Sequence, residues 1–577
     1  AAWLQERSGQ GGRVALVAGE RPERLPLSLA QNRMWFLSQF DPESAAAYNI
    51  PAALRLSGNL DVDALRAAVG DLVARHEVLR TIYPSAADGV IQVILPAERV
   101  ELDLGPVDIA ESDLHAQVGE LVTSGFDVTT EVPVRARLLR ISGTESEFVL
   151  VVVVHHIAAD GSSMGPLVRD VMLAFAARTG GQAPSWAPLP VQYADYSLWQ
   201  REILGSEEDP TSVISEQLGY WTQQLAGLPD QLELPWDRPR PAVQSFEGGV
   251  VAFEIDAGLH VRLTEIARQR NSTLFMVVHA AFAVLLARSS ATDDIAVGTP
   301  VAGRGDAALD ELIGMFVNTL VFRTSVDGAQ PFDQLLAQVR ESDLAAFGNA
   351  DVPFERLVEV LNPTRSTSRS PLVQVGFLFQ NMEMRELELG EITATPVDFD
   401  AIAAKYDLQL TVADRYDEAG SPIGLTASMV YAKSLFDAST VDQLARRFTR
   451  ILESIAVNPE IVVGEIELLD SAERGVLIEQ WNATDHELPS GQLLLDGYRR
   501  QAALHPEAVA VVFEGQSLTY GEFSSRVNRL ARHLIAEGVG PESLVALAIR
   551  RSFVLVVGFY AVLEAGGAYA PVDPDQP

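Results

Sequence analysis

The chain has 577 residues, which exceeds the roughly 250–300 residues that one hydrophobic core organises, so the sequence predicts two or more domains. Its 78 acidic and 43 basic residues give a net charge of −35, which argues against a nucleic-acid or membrane-surface partner because phosphate binding needs excess Lys and Arg. The sequence contains no cysteine, which excludes disulfides, thiolate metal ligands and cysteine nucleophiles and fits a cytoplasmic location.

Strand and helix patterns alternate through the first 200 residues. The polar, Gly/Arg-rich residues 1–24 are typical of a linker. A strand is predicted at Ala52–Gly58, and apolar residues at helical spacing predict a helix from Leu60. The continuous Val-rich run Phe148–Val154 favours a strand covered on both faces. Apolar spacing from Leu167 onward predicts another helix.

The remainder of the chain contains a second alternating stretch and then a shorter unit. A helix is predicted at Thr273–Arg288 and a strand at Ile295–Val297, and both patterns place these elements in a second α/β lobe. We predict an upstream linker, an N-terminal lobe, a C-terminal lobe, a second linker and an incomplete C-terminal α/β unit, at residues 1–24, 25–200, 201–460, 461–490 and 491–577. The last unit is too short to bury a full core of its own.

One stretch, Val151–Gly165, concentrates the residues that could perform chemistry. It reads VVVVHHIAADGSSMG, an apolar run followed by two histidines, an aspartate and a G-x-S-x-G string. Successive side chains of a strand point to opposite faces, so His155 and His156 do not readily reach one metal ion. No cluster of further ligands lies nearby in the sequence, so we predict no metal site.

The G-x-S-x-G string raises the alternative of a serine hydrolase or thioesterase with Ser163 as its nucleophile. Such a serine stands on a sharp strand-to-helix turn, whereas here IAADG separates the histidines from the string. The later histidines lie in predicted helices, in a connector or in the last unit. Ser162 and Ser163 also fit the N-cap of the following helix, which would make them structural.

A histidine acid–base site is the remaining interpretation of this stretch. A histidine at the end of a buried strand could accept a proton from an amine or hydroxyl nucleophile near neutral pH. Asp160 could pair with an arginine or orient a histidine. The structural alternative is a buried histidine pair whose nitrogens bond backbone carbonyls.

Seven stretches, in order, resemble the motifs of condensation domains of nonribosomal peptide synthetases, which are related to chloramphenicol acetyltransferase. HHIAADG matches the family signature H-H-x-x-x-D-G. The other matches are SLAQNRMWFL, RHEVLRT, YADYSLWQ, VGTPVAGR, GMFVNTLVFR and DVPFERLV. In the last unit, SLTYGEF and LEAGGAYAPVDP resemble the opening motifs of an adenylation domain. The resemblance therefore implies a condensation domain followed by the truncated, inactive start of an adenylation domain.

The resemblance implies a fold of two acetyltransferase-like lobes in a V-shaped pseudo-dimer with a central tunnel. Two phosphopantetheine arms would enter this tunnel, carried by an upstream donor and a downstream acceptor peptidyl carrier protein. The acceptor amine would attack the donor thioester and form an amide. No cofactor of the chain's own is implied, and the partners are the two carriers and the adjacent adenylation domain.

Residue roles follow from the resemblance position by position. It implies that His156 is catalytic, as a base or by holding the amine. It implies that His155 points inward as a structural residue. Asp160 is expected to pair with Arg304, and Gly161 to keep the turn tight.

Two further positions, Ser162 and Asn318, are candidates to line the tunnel, although an Asn in a strand commonly bonds locally. Ser162 replaces a frequent family Trp, which leaves the tunnel shape open. The charged segment Gly205–Ser212 resembles those of condensation domains that accept a D-configured donor. The alternatives within the same fold are an epimerization-type domain and a degenerate carrier-docking domain without turnover.

Overall fold

In the computed structural model the chain forms two units, and the boundary between them along the chain falls inside the predicted second linker. The first ends at Asp470 and the second begins at Ser471. The described residues are 14–40, 48–86, 89–144, 146–364, 366–380, 387–389, 392–397, 403–417, 419–487 and 491–574. Residues 1–13 of the predicted first linker and residues 488–490 of the second lie outside the described residues.

A six-stranded mixed sheet organises the N-terminal lobe. Its strands, in order across the sheet, are Leu387–Leu389, Ile392–Pro396, Asn49–Ser57, Glu147–His155, Val134–Ile141 and Val107–Ile109. The central strand Glu147–His155 packs on one face against the helix Leu114–Thr123 and on the other against Val62–Arg75 and Met164–Thr179. The prediction of a strand covered on both faces is therefore confirmed.

Two strands of this sheet come from a distant part of the chain. Residues 387–389 and 392–396 pair with one another, and the second strand pairs antiparallel with Asn49–Ser57. The chain thus passes from the C-terminal lobe into the sheet of the N-terminal lobe and back. No local sequence pattern predicts this crossover, because it depends on pairing partners more than 300 positions apart.

Shorter elements complete the N-terminal lobe. A small sheet is formed by Leu25–Pro26, Gly89–Ile94, Thr81–Ile82 and Ser85–Ala86. The further helices are Leu29–Phe40 and Tyr193–Leu204. The turn Gly161–Ser163 is a single 3-10 turn, and it connects the central strand to the helix Met164–Thr179.

A second six-stranded mixed sheet organises the C-terminal lobe. Its strands, in order, are Asn318–Ser325, Asp294–Val301, Val375–Gln380, Leu408–Tyr416, Pro422–Ala432 and Gly248–Ile255. Its helices are Val213–Gln224, Ala257–Gln269, Leu274–Ser290, Phe332–Gly348, Phe354–Leu361 and Ala438–Val457. The predicted two-lobe α/β class is confirmed, because each lobe combines one such sheet with packed helices.

The most apolar helix of the C-terminal lobe is a core helix. Every residue from Met276 to Ala287 is buried, which accounts for a composition that is apolar on all sides. Among the described residues, no single helix is long and apolar enough to cross a membrane. The helix Leu274–Ser290 passes such a test only together with Ala257–Gln269, and that pair bends by 104°.

The second unit is small and only partly packed. Its elements are Ser471–Gly475, Leu494–Leu504, Val509–Phe513, Gln516–Thr519, Tyr520–Ala536, Leu544–Leu547, Phe553–Glu564 and Ala568–Pro571. Phe523, Val527 and Ala561 are buried in its core, whereas Leu494 and Leu544 are exposed. The unit spans only Ser471–Pro577, and a short chain buries a smaller fraction of its surface than a long one.

Candidate active site

His155, the last residue of the central strand, is part of the core. Its side chain is fully buried, and its ring meets the edge of Phe126 with centroids 5.8 Å apart. The backbone N–H of Ile157 donates to His155 Nδ1 at 3.2 Å, so the neutral ring carries its proton on Nε2. Burial, and secondarily the charge of Arg135, lowers the pKa of His155 from 6.5 to about 4.

Because His155 is buried, we expect the free energy of unfolding to decrease in acid. Between pH 6.5 and about 4 the unfolded chain binds a proton at His155 that the folded chain does not, so the free energy of unfolding falls as the pH falls. The full loss for this side chain is on the order of 3 kcal/mol. Urea denaturation across this pH range should show a smaller acid loss for His155→Phe. An unchanged pH dependence in that variant would contradict the buried placement.

His156 occupies the next position and takes a different environment. Its backbone N–H donates to the Tyr48 carbonyl at 2.8 Å, which extends the strand pairing by one residue. Its side chain is half-buried, and Nδ1 lies 3.1 Å from Sδ of the buried Met315. A thioether sulfur accepts but does not donate, so this contact favours the tautomer with the proton on Nδ1. The lone pair is then on Nε2, as a base acting through Nε2 requires.

Asp160 joins the turn Gly161–Ser163, here called the motif turn, to the segment that contains Phe316. Its Oδ1 accepts from the backbone N–H and the hydroxyl of Ser163 at 2.9 and 2.7 Å. Its Oδ2 accepts from the backbone N–H of Phe316 at 3.0 Å. Arg304 Nη2 lies 3.4 Å from Oδ1, and the aspartate is only 1% exposed. Both carboxylate oxygens are therefore engaged in bracing the backbone.

Arg304 bonds Ser163 and Asp160 from the other segment, and these three residues form a buried brace. Its guanidinium donates to the hydroxyl of Ser163 at 3.0 Å and to the carbonyls of Leu309 and Leu312. It also stacks over the ring of Phe316 at 4.4 Å. The structure thus brings Asp160 and Arg304 together, and the pair fixes the loop that carries Met315 next to the motif turn.

Ser163 is a member of this brace and is inaccessible. Its side chain is fully buried, and its Oγ lies 2.9 Å from the Gly314 carbonyl and 3.1 Å from the Gly314 nitrogen. The N-cap interpretation needs correction: Ser163 makes no side-chain cap to the helix Met164–Thr179, and Asp160 caps the preceding turn instead. A nucleophile needs access to its substrate, which this hydroxyl lacks.

Removing the Ser163 hydroxyl is expected to destabilise the fold without removing the chemistry. Ser163→Ala leaves buried groups of Gly314 and Arg304 short of a partner, which costs about 1–3 kcal/mol. Thermal denaturation should show the loss, while the activity that the resemblance assigns to His156 continues. A folded Ser163→Ala protein without that activity would support a nucleophilic serine.

Two models of known protein families match the sequence. A family model described as Condensation domain matches residues 22–478, which is most of the chain. This chain belongs to the condensation-domain family. A second model, described as AMP-binding enzyme, matches residues 498–577. The predicted order of a condensation domain followed by the start of an adenylation domain is confirmed.

Two relatives are similar over nearly all of this chain. It is 46% identical over 563 residues to the dimodular nonribosomal peptide synthase of Bacillus subtilis (strain 168), covering 98% of this chain and 24% of that protein. It is 45% identical over 568 residues to the isonitrile lipopeptide synthase of Mycobacterium tuberculosis (strain ATCC 25618 / H37Rv), covering 97% and 22%. The chain therefore spans about a quarter of the length of these curated relatives.

A solved structure matches the condensation domain as well. The X-domain from teicoplanin biosynthesis, solved in complex with OxyB, is 37% identical with a TM-score of 0.74. The match covers 80% of this chain and 100% of that one. The fold of two acetyltransferase-like lobes is confirmed by this likeness together with the two six-stranded sheets.

The remaining candidate residues of the condensation domain have different placements. Asn318 donates to the carbonyls of Ala350 and Val352 at 2.8 and 2.7 Å, and its Oδ1 accepts from the Phe354 N–H. Its polar atoms thus hold the loop before the helix Phe354–Leu361. Ser162 is half-buried beside the motif turn.

Gly161 is exposed, and its conformation does not explain why glycine stands there. Its φ is not positive, and a Cβ at this position would meet no heavy atom within 4 Å. The 3-10 turn that begins at Gly161 therefore does not require glycine through a positive φ or through crowding. Open space at the edge of the motif turn is the property that glycine provides.

Residues of the opposing segment complete the site, and no local sequence pattern predicts their contact with the histidine. Met315 contacts His156, and the Tyr193 hydroxyl donates to the Met315 carbonyl at 2.6 Å. A Cβ on Gly303 would lie 2.0 Å from the Phe316 carbonyl oxygen, and one on Gly314 would lie 2.2 Å from the Tyr193 ring. The motifs VAGR and GMFVN marked these two segments in the sequence. Only the fold shows that Met315 of the second motif contacts His156.

Proposed function

We propose that this condensation domain forms an amide bond between two carrier-bound thioesters. The amine of an aminoacyl thioester attacks the carbonyl of an acyl or peptidyl thioester. The C–N bond forms, the C–S bond breaks, and the donor thiol leaves with a proton. The observation that carries the proposal is His156 at the end of the central strand, where the contact of Nδ1 with the Met315 sulfur favours the tautomer whose basic lone pair is on Nε2.

His156 would serve the attack in one of two ways. It can take the proton that the amine loses as the C–N bond forms, which is worth about 10²–10⁴-fold in rate. It can alternatively hold the amine and the tetrahedral intermediate in place. Asp160, Arg304 and Ser163 do not react in either case, because their polar atoms are used in bracing the two segments. Holding both thioesters together supplies much of the remaining rate.

The partners follow from this chemistry. The two thioesters are carried on phosphopantetheine arms of an upstream donor carrier and a downstream acceptor carrier, so the prosthetic groups belong to the carriers. We place both arms in a tunnel between the lobes of a V-shaped pair, with Gly161 and Ser162 at its wall. The adjacent adenylation domain is the third partner. A D-configured donor, from the segment Gly205–Ser212, and a cytoplasmic location stay predictions.

A docking role without turnover is the second candidate function. The X-domain, which was solved in complex with OxyB, is 37% identical to this chain, and this likeness favours partner recruitment as the alternative to turnover. An epimerization-type domain shares the histidine motif, but the AMP-binding match that follows favours condensation. The buried position of Ser163 disfavours the hydrolase alternative.

The test uses the full chain with two loaded carriers. A donor carrier bearing a peptidyl thioester is mixed with an acceptor carrier bearing an aminoacyl thioester, and the carriers are weighed intact by mass spectrometry. Condensation adds the donor mass to the acceptor carrier. Release of free acid would support a hydrolase, and absence of any transfer over matched substrate pairs would support docking alone.

A further inference from the structure

Two motifs of the chain, SLAQNRMWFL and YADYSLWQ, contribute buried polar side chains beside the site. They are Ser28 and Gln31 of the first motif and Tyr193 of the second, and all three are buried. A buried polar side chain is costly unless it is hydrogen-bonded, so the partners of these three show what they hold in place. The partners lie on the two segments that carry His156 and Met315.

The amide of Gln31 holds the backbone next to His156. Its Nε2 donates to the carbonyl of Ile157, the residue after the histidine, at 3.2 Å and to the hydroxyl of Tyr83 at 3.1 Å. Its Oε1 accepts from the backbone N–H of Ser28 at 3.2 Å. A backbone carbonyl only accepts and a backbone N–H only donates, so these two partners fix the orientation of the amide. Gln31 is therefore locked against the turn that follows the histidine.

The hydroxyl of Tyr193 holds the backbone of the opposing segment. It donates to the carbonyl of Met315 at 2.6 Å. Since a phenol has a single proton, the Ser28 hydroxyl donates to the Tyr193 oxygen, which lies 2.8 Å away. The Ser28 oxygen in turn accepts from the backbone N–H of Gln31 at 3.1 Å. The hydrogen bonds thus run in one direction from Gln31 to Met315, and bonds in such a chain strengthen one another.

This network anchors Met315 at an atom that the brace does not use. The brace binds the backbone of the two neighbours of Met315, Gly314 and Phe316. Tyr193 takes the carbonyl of the residue between them, and its ring meets the edge of Phe316 with centroids 5.1 Å apart. Tyr193 is thus an anchor of the residue whose sulfur lies 3.1 Å from His156 Nδ1.

The contact between the His156 ring and the Met315 sulfur depends on this anchoring. A thioether sulfur is a weak acceptor, and hydrogen bonds weaken steeply when their geometry is poor. The network holds the backbone on both sides of the contact, at Ile157 and at Met315. If either bond is lost, the contact loosens, and the preference that it gives for the tautomer with the proton on Nδ1 is lost as well.

We propose that Gln31 and Tyr193 are positioning residues of the condensation site. Through one buried hydrogen-bond network they set the separation of the Met315 sulfur from His156 Nδ1, and with it the tautomer of His156. The consequence for transfer rests on the proposed condensation function, whereas the effect on the tautomer does not.

The tautomer is measured from the ¹⁵N chemical shifts of the imidazole in the full chain labelled at histidine, and His156→Ala identifies the signal. We expect the form with the proton on Nδ1 in the unmodified protein and a mixture of both forms in Tyr193→Phe, which removes only the hydroxyl. Tyr196→Phe is the matched control. Tyr196 is buried on the same helix, and its hydroxyl accepts from Gln200 Nε2 at 3.1 Å instead. This control should keep the tautomer of the unmodified protein.

Transfer between loaded carriers measures the consequence for the reaction. In Tyr193→Phe, kcat should fall about 10–10²-fold with KM for both carriers unchanged, because a small misplacement of a catalytic group is that costly. Tyr196→Phe should retain kcat. Gln31→Met keeps the length of the side chain but loses the amide bond to Ile157, so it should change the tautomer and kcat in the same way. It also replaces Tyr193→Phe if that variant does not fold.

The two readouts separate the positioning role from the condensation function. An unchanged tautomer in the folded Tyr193→Phe and Gln31→Met proteins would overturn the proposal, and so would an equal change in Tyr196→Phe. A changed tautomer with an unchanged kcat would also overturn the assignment of positioning residues. A changed tautomer in a chain whose unmodified form transfers no matched substrate pair would uphold the network and overturn the condensation function.

Discussion

Replacing His156 by alanine is expected to lower the rate of carrier-to-carrier transfer by about 10²–10⁴-fold, the usual contribution of a positioned acid–base group. The fold should persist, because the strand pairing at this position uses the backbone N–H to the Tyr48 carbonyl. The side chain is half-buried, and its ring contacts the Met315 sulfur. Single-turnover transfer between loaded carriers measures the rate, and the melting temperature checks the fold.

His115→Ala is the matched control for this substitution. His115 is exposed on the helix Leu114–Thr123, so its removal should leave both the rate and the melting temperature unchanged. A loss in His156→Ala that is confined to binding of the acceptor, with the chemical step unchanged, would assign the residue to holding the amine. An unchanged rate would remove it from the mechanism.

Replacing Asp160 by alanine is expected to cost about 3–5 kcal/mol of folding free energy, since it leaves a buried arginine without its carboxylate. Arg304 is 8% exposed at its side chain, and the buried N–H groups of Phe316 and Ser163 also lose their acceptor. Activity should fall with stability, because the loop carrying Met315 is no longer held against the motif turn. Urea denaturation followed by tryptophan fluorescence measures the cost.

That signal reports the first unit, where Trp221 is fully buried, whereas Trp481 of the second unit is 70% exposed. Asp63→Ala is the control, because its ion pair with Arg66 joins two exposed side chains. Exposed pairs contribute little, so a much smaller shift of the midpoint is expected. If both variants shifted the midpoint equally, the buried brace would have no special part in stability.

Local patterns predicted the elements of the fold well. The apolar run Phe148–Val154 corresponds to the strand Glu147–His155, and the predicted helix Thr273–Arg288 corresponds to Leu274–Ser290. Such elements are set by neighbouring residues, which a sequence displays directly. The strand Ile392–Pro396 crosses into the other lobe, and its position depends on the partner strand Asn49–Ser57, which no local pattern names.

The histidine side of the candidate site and the Asp160–Arg304 pair were predictable, the pair through the family resemblance, whereas the other contacts of the opposing segment were not. The spacing of HHIAADG placed His155 and His156 on opposite faces, and the structure gives them different environments. The contact of His156 with Met315 joins residues 159 positions apart, and the bond of Ser163 to Gly314 joins residues 151 apart. Tertiary packing alone creates such contacts, so the sequence could suggest a cap for Ser163 but not its place in the brace.

The role of His156 in amide formation is tested most directly by comparing His156→Ala and Ser163→Ala in the same transfer assay. Both variants are supplied with a peptidyl-loaded donor carrier and an aminoacyl-loaded acceptor carrier, and the acceptor is weighed over time. We expect Ser163→Ala to melt earlier but still transfer, and His156→Ala to keep its fold and lose transfer. Undiminished transfer in His156→Ala together with its loss in a folded Ser163→Ala would contradict that role.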